Sequence, residues 1–147
     1  MSDSDKHRLS RVVTRSGDQG ETGLADGSRQ PKDAPRIEAM GSVDELNAAI
    51  GYLRSLLDDD NRHQPLLSWI QQRLFDVGAE LAIPDSLYLA AEHLTELDAQ
   101  CDTLNQELPP LQEFVLPGGT PSGAWCHYCR TLTRGVERRL GPVTDLP

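Results

Sequence analysis

The stretch SVDELNAAIGYLRSLL, residues 42–57, decides the fold of this chain. Its apolar side chains recur at steps of three and four, the spacing that buries one face of an α-helix. These side chains are Val43, Leu46, Ala49, Ile50, Leu53 and Leu57. Ser42 and Glu45 have the spacing of a capping box, so this first helix is predicted to begin with Ser42 as its N-cap.

Two more helices are predicted from the apolar spacing that follows. One covers about residues 65–82 and ends before Pro84, because proline cannot continue a helix. The next begins after residues 85–86 and ends at the prolines 109–110. Its apolar residues alternate steps of three and four, which is typical of the seam of a helical bundle. They are Leu87, Ala90, Leu94, Leu97, Cys101, Leu104 and Leu108.

A fourth helix is predicted from Pro121 to about Leu140, with Thr120 as its N-cap. Its apolar stripe consists of Trp125, Cys129, Leu132, Val136 and Leu140. No segment alternates with a period of two for long enough to compete as a strand. The chain is therefore expected to be all-α, an antiparallel helical bundle preceded by an irregular N-terminal segment.

The size and composition of the chain narrow its class. Its 147 residues suit one domain, 1–147, with the polar residues 1–11 as a mobile tail. The formal net charge of −9 argues against nucleic-acid binding. No stretch reaches the ~18 consecutive apolar residues of a membrane span, and residues 1–30 lack the apolar middle of a signal peptide. We expect a cytoplasmic protein that binds neither nucleic acid nor membrane.

The cysteines are three in number, and Cys126 and Cys129 lie in the sequence WCHYC. This is the spacing of a redox or zinc half-site, but a zinc site needs four ligands and no second pair follows. We therefore predict no metal site here and interpret the thiols as small packing groups.

The polar face of the fourth helix is strongly cationic. At 100° per residue, one third of its circumference carries His127, Arg130, Arg134, Glu137 and Arg138. Arginine binds phosphate oxygens through two N–H groups and keeps its charge when desolvated, so this face is suited to a polyphosphate. Glu137 would orient an arginine or meet a metal ion. The alternative is that the face only forms salt bridges with acidic neighbours.

On the first helix, Asp44 lies beside the apolar face, on a strip with Asn47 and Gly51. A partly buried carboxylate is costly without a partner and is tolerated in a pair with arginine. We therefore predict that Asp44 pairs with Arg130.

The segment FVLPGGT, residues 114–120, cannot continue as a helix through its Pro-Gly-Gly turn. One interpretation is a hydrophobic plug that fills the core. The other is that Phe114 faces a flat apolar ligand.

The segment TRSGDQGETGL, residues 14–24, has glycines three apart. It is neither a P-loop nor a dinucleotide-binding motif, although such glycines can turn successive backbone amides toward an anion. Phosphate binding and simple flexibility both remain open for this loop.

Taken together, these stretches resemble the PduO-type ATP:cob(I)alamin adenosyltransferases. The matching pieces are TRSGDQGETGL, DGSRQPKDAPRIEAMGSVDELNAAIG, FDVGAELA, FVLPGG and HYCRTLTRGVERR, in the order of the family. The resemblance implies a helical bundle that assembles as a homotrimer with active sites between subunits. It also implies transfer of the adenosyl group of ATP to cobalamin, with Mg²⁺ on the phosphates.

The resemblance further implies a role for individual residues. Asp44 and Arg130 match an inter-subunit salt bridge, and Phe114 matches the aromatic residue at the lower face of the corrinoid. Together with Arg134, these residues form the implied catalytic set. The implied ATP-binding residues are Thr14, Arg15, Ser16, Gly17, Thr22, Gly23, Lys32, Arg134, Glu137 and Arg138.

Two features depart from the family. Gly135 replaces an arginine, and the family continues into a further helix where this chain reads GPVTDLP. These departures keep a second hypothesis open, a non-catalytic relative that binds ATP or corrinoid as a carrier or sensor. A third hypothesis is a plain helical interaction module, which would not be stabilised by ATP.

Overall fold

A computed structural model describes residues 13–143, and the predicted tail at residues 1–11 lies outside this range. The chain folds into four α-helices, preceded by two short strands. The elements are β1 (Glu21–Gly23), β2 (Arg29–Pro31), α1 (Pro35–Ser55), α2 (Gln64–Ala82), α3 (Ala91–Gln106) and α4 (Pro121–Leu140). Among the described helices, none is both long and apolar enough to cross a bilayer.

Helix α1 begins earlier than the capping-box pattern predicts. Its N-cap is Ala34 with an extended backbone, Pro35 occupies the first turn, and Glu38 adds a favourable negative charge there. Ser42 is a buried interior residue whose Oγ donates a hydrogen bond to the carbonyl of Ala39, at 2.8 Å. The predicted start at Ser42 is therefore wrong, because a serine can satisfy its hydroxyl within a helix.

The core is built around α1, which packs against both α2 and α4. Its apolar face from Ala39 to Leu53 is buried, as the sequence pattern predicts. Leu81 of α2 is fully buried, and Cys129 and Val136 of α4 close the other side. Trp125 also donates a hydrogen bond from Nε1 to the carbonyl of Ala49, at 2.7 Å. The predicted bounds of α2 and α4 and the apolar stripe of α4 are confirmed.

Helix α3 is the element that departs most from the prediction. It begins at Ala91, several residues later than expected, and none of its residues is buried. The segment before it is held to α2, because Glu80 accepts hydrogen bonds from the backbone N–H groups of Tyr88 and Leu89, both at 2.7 Å. In this single chain the predicted apolar seam, including Leu94 and Leu97, is exposed.

The N-terminal segment contains a small antiparallel hairpin, in which Thr22 pairs with Gln30. The buried Leu24 and a hydrogen bond from the N–H of Ala25 to the carbonyl of Ala82, at 3.1 Å, attach the hairpin to the end of α2. This attachment places the predicted ATP-binding loop beside α1 and α2.

Candidate functional site

A first cleft of about 560 Å³ lies between the hairpin, α1 and α2. It is lined by Thr22, Gly23, Ile37, Met40, Gly41, Val43, Asp44, Asn47, Leu74, Phe75, Gly78 and Ala79. Within residues 13–143, Asp44 is the only charged residue that lines it, and the exposed ring of Phe75 forms part of its wall. The first cleft is therefore acidic with mainly apolar walls.

The loop at residues 14–20 brings several of the predicted ATP-binding residues together. The hydroxyls of Thr14 and Ser16 are hydrogen-bonded at 2.8 Å, and Arg15 has a left-handed backbone with φ of 60°. A Cβ at Gly17 would lie 2.9 Å from Nζ of Lys32. Glycine at this position therefore lets the ammonium group of Lys32 lie directly against the loop.

Arg29 also holds this loop, and the sequence reasoning missed it. Its Nη2 donates a hydrogen bond to the carbonyl of Ser16 at 3.0 Å, and its Nε pairs with Glu21 at 3.3 Å. The signal in the sequence is Asp26-Gly27, a dipeptide typical of a hairpin turn, which would have placed Arg29 opposite the first strand. Arg29 therefore connects the loop to the hairpin.

The predicted cationic face of α4 points outward. Arg130, Arg134, Glu137 and Arg138 are exposed, and none of them forms an ion pair with another residue in the range 13–143. His127 is half-buried. The alternative of salt bridges with acidic neighbours is thus not observed for these residues. The positive charges of Arg130, Arg134 and Arg138 therefore remain available to an anionic ligand.

Gly135 has a structural consequence on the same helix. It is buried beneath the side chain of Arg139, whose Nη1 would lie 3.1 Å from a Cβ at this position. Arg139 reaches across to pair with Glu38 of α1, at 3.0 Å. The glycine therefore leaves room for an ion pair that ties the end of α4 to the start of α1.

A second cleft, of about 590 Å³, lies between the loop after α3 and the first half of α4. It is lined by Leu111, Gln112, Glu113, Phe114, Val115, His127 and Arg130. Phe114 has a relative exposure of 106%, and the neighbouring Val115 and Leu116 are also exposed. The interpretation of this segment as a core plug is wrong, since the core is already filled by α1, α2 and α4.

Asp44 and Arg130 lie on different clefts of the chain. No ion pair joins them within the described residues. The predicted pairing is therefore not formed inside one chain, and the inter-subunit pairing that the resemblance implies remains a prediction.

The cysteines behave differently from one another. Cys129 is buried in the core, and this burial raises the pKa of its thiol. Cys101 and Cys126 are exposed. The interpretation as packing groups is confirmed for Cys129 and is wrong for the other two, because α3 is not buried and Cys126 points away from the core side of α4.

Comparison with known proteins agrees with this arrangement. The model of the cobalamin adenosyltransferase family matches residues 12–145. A cobalamin adenosyltransferase of Cupriavidus metallidurans is 47% identical over 134 residues, which are 91% of this chain and 73% of that protein. A corrinoid adenosyltransferase of Mycobacterium tuberculosis is 41% identical over 144 residues, covering 93% of this chain and 75% of that protein.

Solved structures give the same assignment. A variant of the PduO-type ATP:corrinoid adenosyltransferase of Lactobacillus reuteri, in complex with cobalamin and ATP, superposes with a TM-score of 0.84. It is 33% identical, and the match covers 90% of this chain and 77% of that one. Another variant, in complex with ATP, gives a TM-score of 0.83 at 35% identity, with the same coverage of both chains. This chain belongs to the cobalamin adenosyltransferase family.

Proposed function

We propose that this protein transfers the 5′-deoxyadenosyl group of ATP to the cobalt of cob(I)alamin or a related corrinoid. The cobalt supplies the electron pair of the new cobalt–carbon bond. The bond between C5′ and its oxygen breaks, and triphosphate leaves with the electron pair of that broken bond. The observation that carries the proposal is the second cleft, where the exposed ring of Phe114 stands beside Arg130, with Arg134 one turn further along α4.

The leaving triphosphate gives the cationic residues their role. Arg134 and Arg138 would bind its oxygens, since N–H donors placed where charge develops stabilise the transition state. Glu137 lies between them in sequence and would orient a guanidinium or contact Mg²⁺, which arrives on the phosphates of ATP. No general base is needed, because the nucleophile is a metal centre and no proton is transferred.

The N-terminal segment would hold the other end of the same nucleotide. Lys32 lies against the loop at residues 14–20, and Thr22 and Gly23 line the first cleft. In the same loop the hydroxyls of Thr14 and Ser16 are hydrogen-bonded to each other, and Gly17 lies against Lys32. We propose that these residues and Arg15 bind ATP.

We further propose that the site is completed between subunits of a homotrimer. This proposal is supported by the positions of the acidic first cleft and of Arg130 in the second cleft, which lie apart within one chain. Opposite charges on two subunits would attract each other across an interface. The exposed apolar residues of α3 and of residues 111–116 also suit burial in an assembly. A cytoplasmic location is proposed because free thiols persist in reducing compartments.

The function is tested by incubating the protein anaerobically with chemically reduced cob(I)alamin and Mg-ATP and following formation of adenosylcobalamin. We expect product and triphosphate in equal amounts. If folded protein gives no product but is stabilised thermally by ATP, the chain is the non-catalytic carrier or sensor instead. If the protein neither forms product nor is stabilised by ATP, the chain is a helical interaction module rather than an enzyme, carrier or sensor.

Replacing Phe114 by alanine is expected to weaken corrinoid binding roughly thirtyfold, because a buried aromatic contact contributes about 2 kcal/mol. The KM for ATP should change little, since the predicted ATP-binding residues lie elsewhere on the chain. The measurement is the pair of KM values in the anaerobic assay. Leu116→Ala is the control, as Leu116 is equally exposed but does not line the second cleft. A similar loss in both variants would show that Phe114 has no specific contact.

A further inference from the structure

Helices α1 and α2 are joined by a polar ladder, defined here as Asn47, Arg54, Gln64 and Gln71. The Nδ2 of Asn47 donates a hydrogen bond to the carbonyl of Gln71 at 3.3 Å, and the Nε2 of Gln71 donates one to the carbonyl of Asn47 at 3.0 Å. Arg54 donates from Nη1 to Oε1 of Gln71 at 2.8 Å. The two bonds of the Gln71 side chain fix its amide, with Nε2 toward Asn47 and Oε1 toward Arg54.

The same geometry fixes the amide of Asn47. Its neighbour on α2 is a carbonyl oxygen, so the nitrogen must face it and the oxygen must point away. Asn47 is only 7% exposed, and its Oδ1 is a buried acceptor without a hydrogen-bond donor among the described residues. Buried acceptors are rarely left unpaired, so this oxygen requires an explanation.

The position of Asn47 points to a donor that enters the first cleft. Asn47 lines this cleft and lies three residues after Asp44, which places the two side chains on one face of α1. Among the described residues that line this cleft, none is a lysine or an arginine. A carboxylate and an amide oxygen about one turn apart match a guanidinium group, which has five N–H donors in a planar fork.

We propose that Oδ1 of Asn47 accepts a hydrogen bond from Arg130 of a neighbouring subunit, which Asp44 binds at the same time. This inference rests on the inter-subunit site of the proposed function. Arg130 is suited to the role because it is exposed, carries no ion pair within residues 13–143, and lies on the second cleft beside Phe114.

Asn47 is thus a positioning residue. A carboxylate that accepts only one N–H leaves the guanidinium free to rotate about that bond, whereas a second acceptor fixes the plane of the fork. Fixing Arg130 in this way would also fix the orientation of the second cleft of one subunit against the first cleft of the next.

A double-mutant cycle on subunit association tests this role. Asn47→Leu should weaken association roughly tenfold per interface, because a hydrogen bond to a charged group is lost. In an Arg130→Met background the same change should have no further effect. The dissociation constants are measured by sedimentation at fixed salt. Arg130→Lys, which keeps the charge but not the fork, gives a second cycle if Arg130→Met associates too weakly.

Gln71→Met is the matched control, because it breaks the polar ladder without removing Oδ1. We expect it to weaken association by the same factor in both Arg130 backgrounds. If the effects of Asn47→Leu and Arg130→Met on association are additive, the inference is wrong. If the Asn47→Leu variant has a much lowered melting temperature, the cycle is repeated with Asn47→Ala. Turnover of the unsubstituted protein is measured alongside. If the unsubstituted protein is active but the effects of Asn47→Leu and the Arg130 variant are additive, only the role of Asn47 is disproved. If the protein stays monomeric at all concentrations, the proposed inter-subunit site is disproved as well.

Discussion

Replacing Arg134 by alanine is expected to lower kcat for adenosyl transfer by a factor of about 10² to 10³, the usual loss when one donor to a developing anion is removed. The exposed guanidinium of Arg134 has no partner within the described chain, so its loss should not destabilise the fold. The charge it stabilises grows as triphosphate departs. For this reason kcat should fall more than the affinity for ATP.

Arg139→Ala is the matched control on the same helix. Arg139 is committed to the ion pair with Glu38, and an exposed pair contributes only about 0.2–1 kcal/mol to stability. Because this substitution lies on the surface, it should leave kcat within about twofold of the value for the unsubstituted protein. The measurement is the single-turnover rate of adenosylcobalamin formation at saturating Mg-ATP. Equal rates for Arg134→Ala and Arg139→Ala would show that Arg134 has no role in the active site.

The parts of the fold that the sequence predicts well are those decided by local chemistry. Helix α4 shows this clearly, since Thr120 accepts a hydrogen bond from the N–H of Gly123 at 3.1 Å and Pro121 occupies the first turn. The start of α1 was predicted wrongly because Ser42 matches a cap pattern that a continuing helix overrides. The proline at residue 35 was the better signal.

Helix α3 could not be placed from sequence for a different reason. Its delayed start depends on Glu80 of α2, which binds the backbone at residues 88–89, and on Asp85, which adopts a left-handed backbone with φ of 62°. The contact of Glu80 joins two segments and cannot be predicted from local propensity. A single left-handed aspartate is permitted but not required by its sequence. The apolar residues of α3 do lie along one face of the helix, but their spacing does not show which surface that face packs against.

In the candidate site too, some residues could be predicted from the sequence and others could not. The sequence pattern predicted the cationic face of α4, because helical geometry places side chains one turn apart on one face. Phe114 was singled out for a different reason, as an aromatic residue in an apolar segment before a Pro-Gly-Gly turn. The sequence pattern did not find Arg29 or the unpaired oxygen of Asn47, since each depends on a contact with another element. Nor could it show that Asp44 and Arg130 lie on separate clefts of one chain.

Replacing Asp44 by asparagine is expected to weaken subunit association about a hundredfold or more. Breaking a buried ion pair by removing one charge costs about 3–5 kcal/mol, because the remaining charge is left desolvated. Asp44 is exposed in the single chain, so the same change should leave the thermal stability of the isolated subunit almost unaltered. Association is measured by sedimentation over a dilution series, and turnover per subunit is measured at the same concentrations.

Asp59→Asn provides the control, since it removes the same charge from an exposed turn after α1. Any effect of net charge alone would appear equally in both variants, and equal effects would disprove the inter-subunit pair. The charge-reversed double variant, Asp44→Arg with Arg130→Asp, should recover part of the association that either single change loses. The two positions then carry opposite charges again, although the charges are exchanged between them. Turnover should recover less than association does. Arg130 also lines the cleft of Phe114, where an aspartate cannot supply the positive charge.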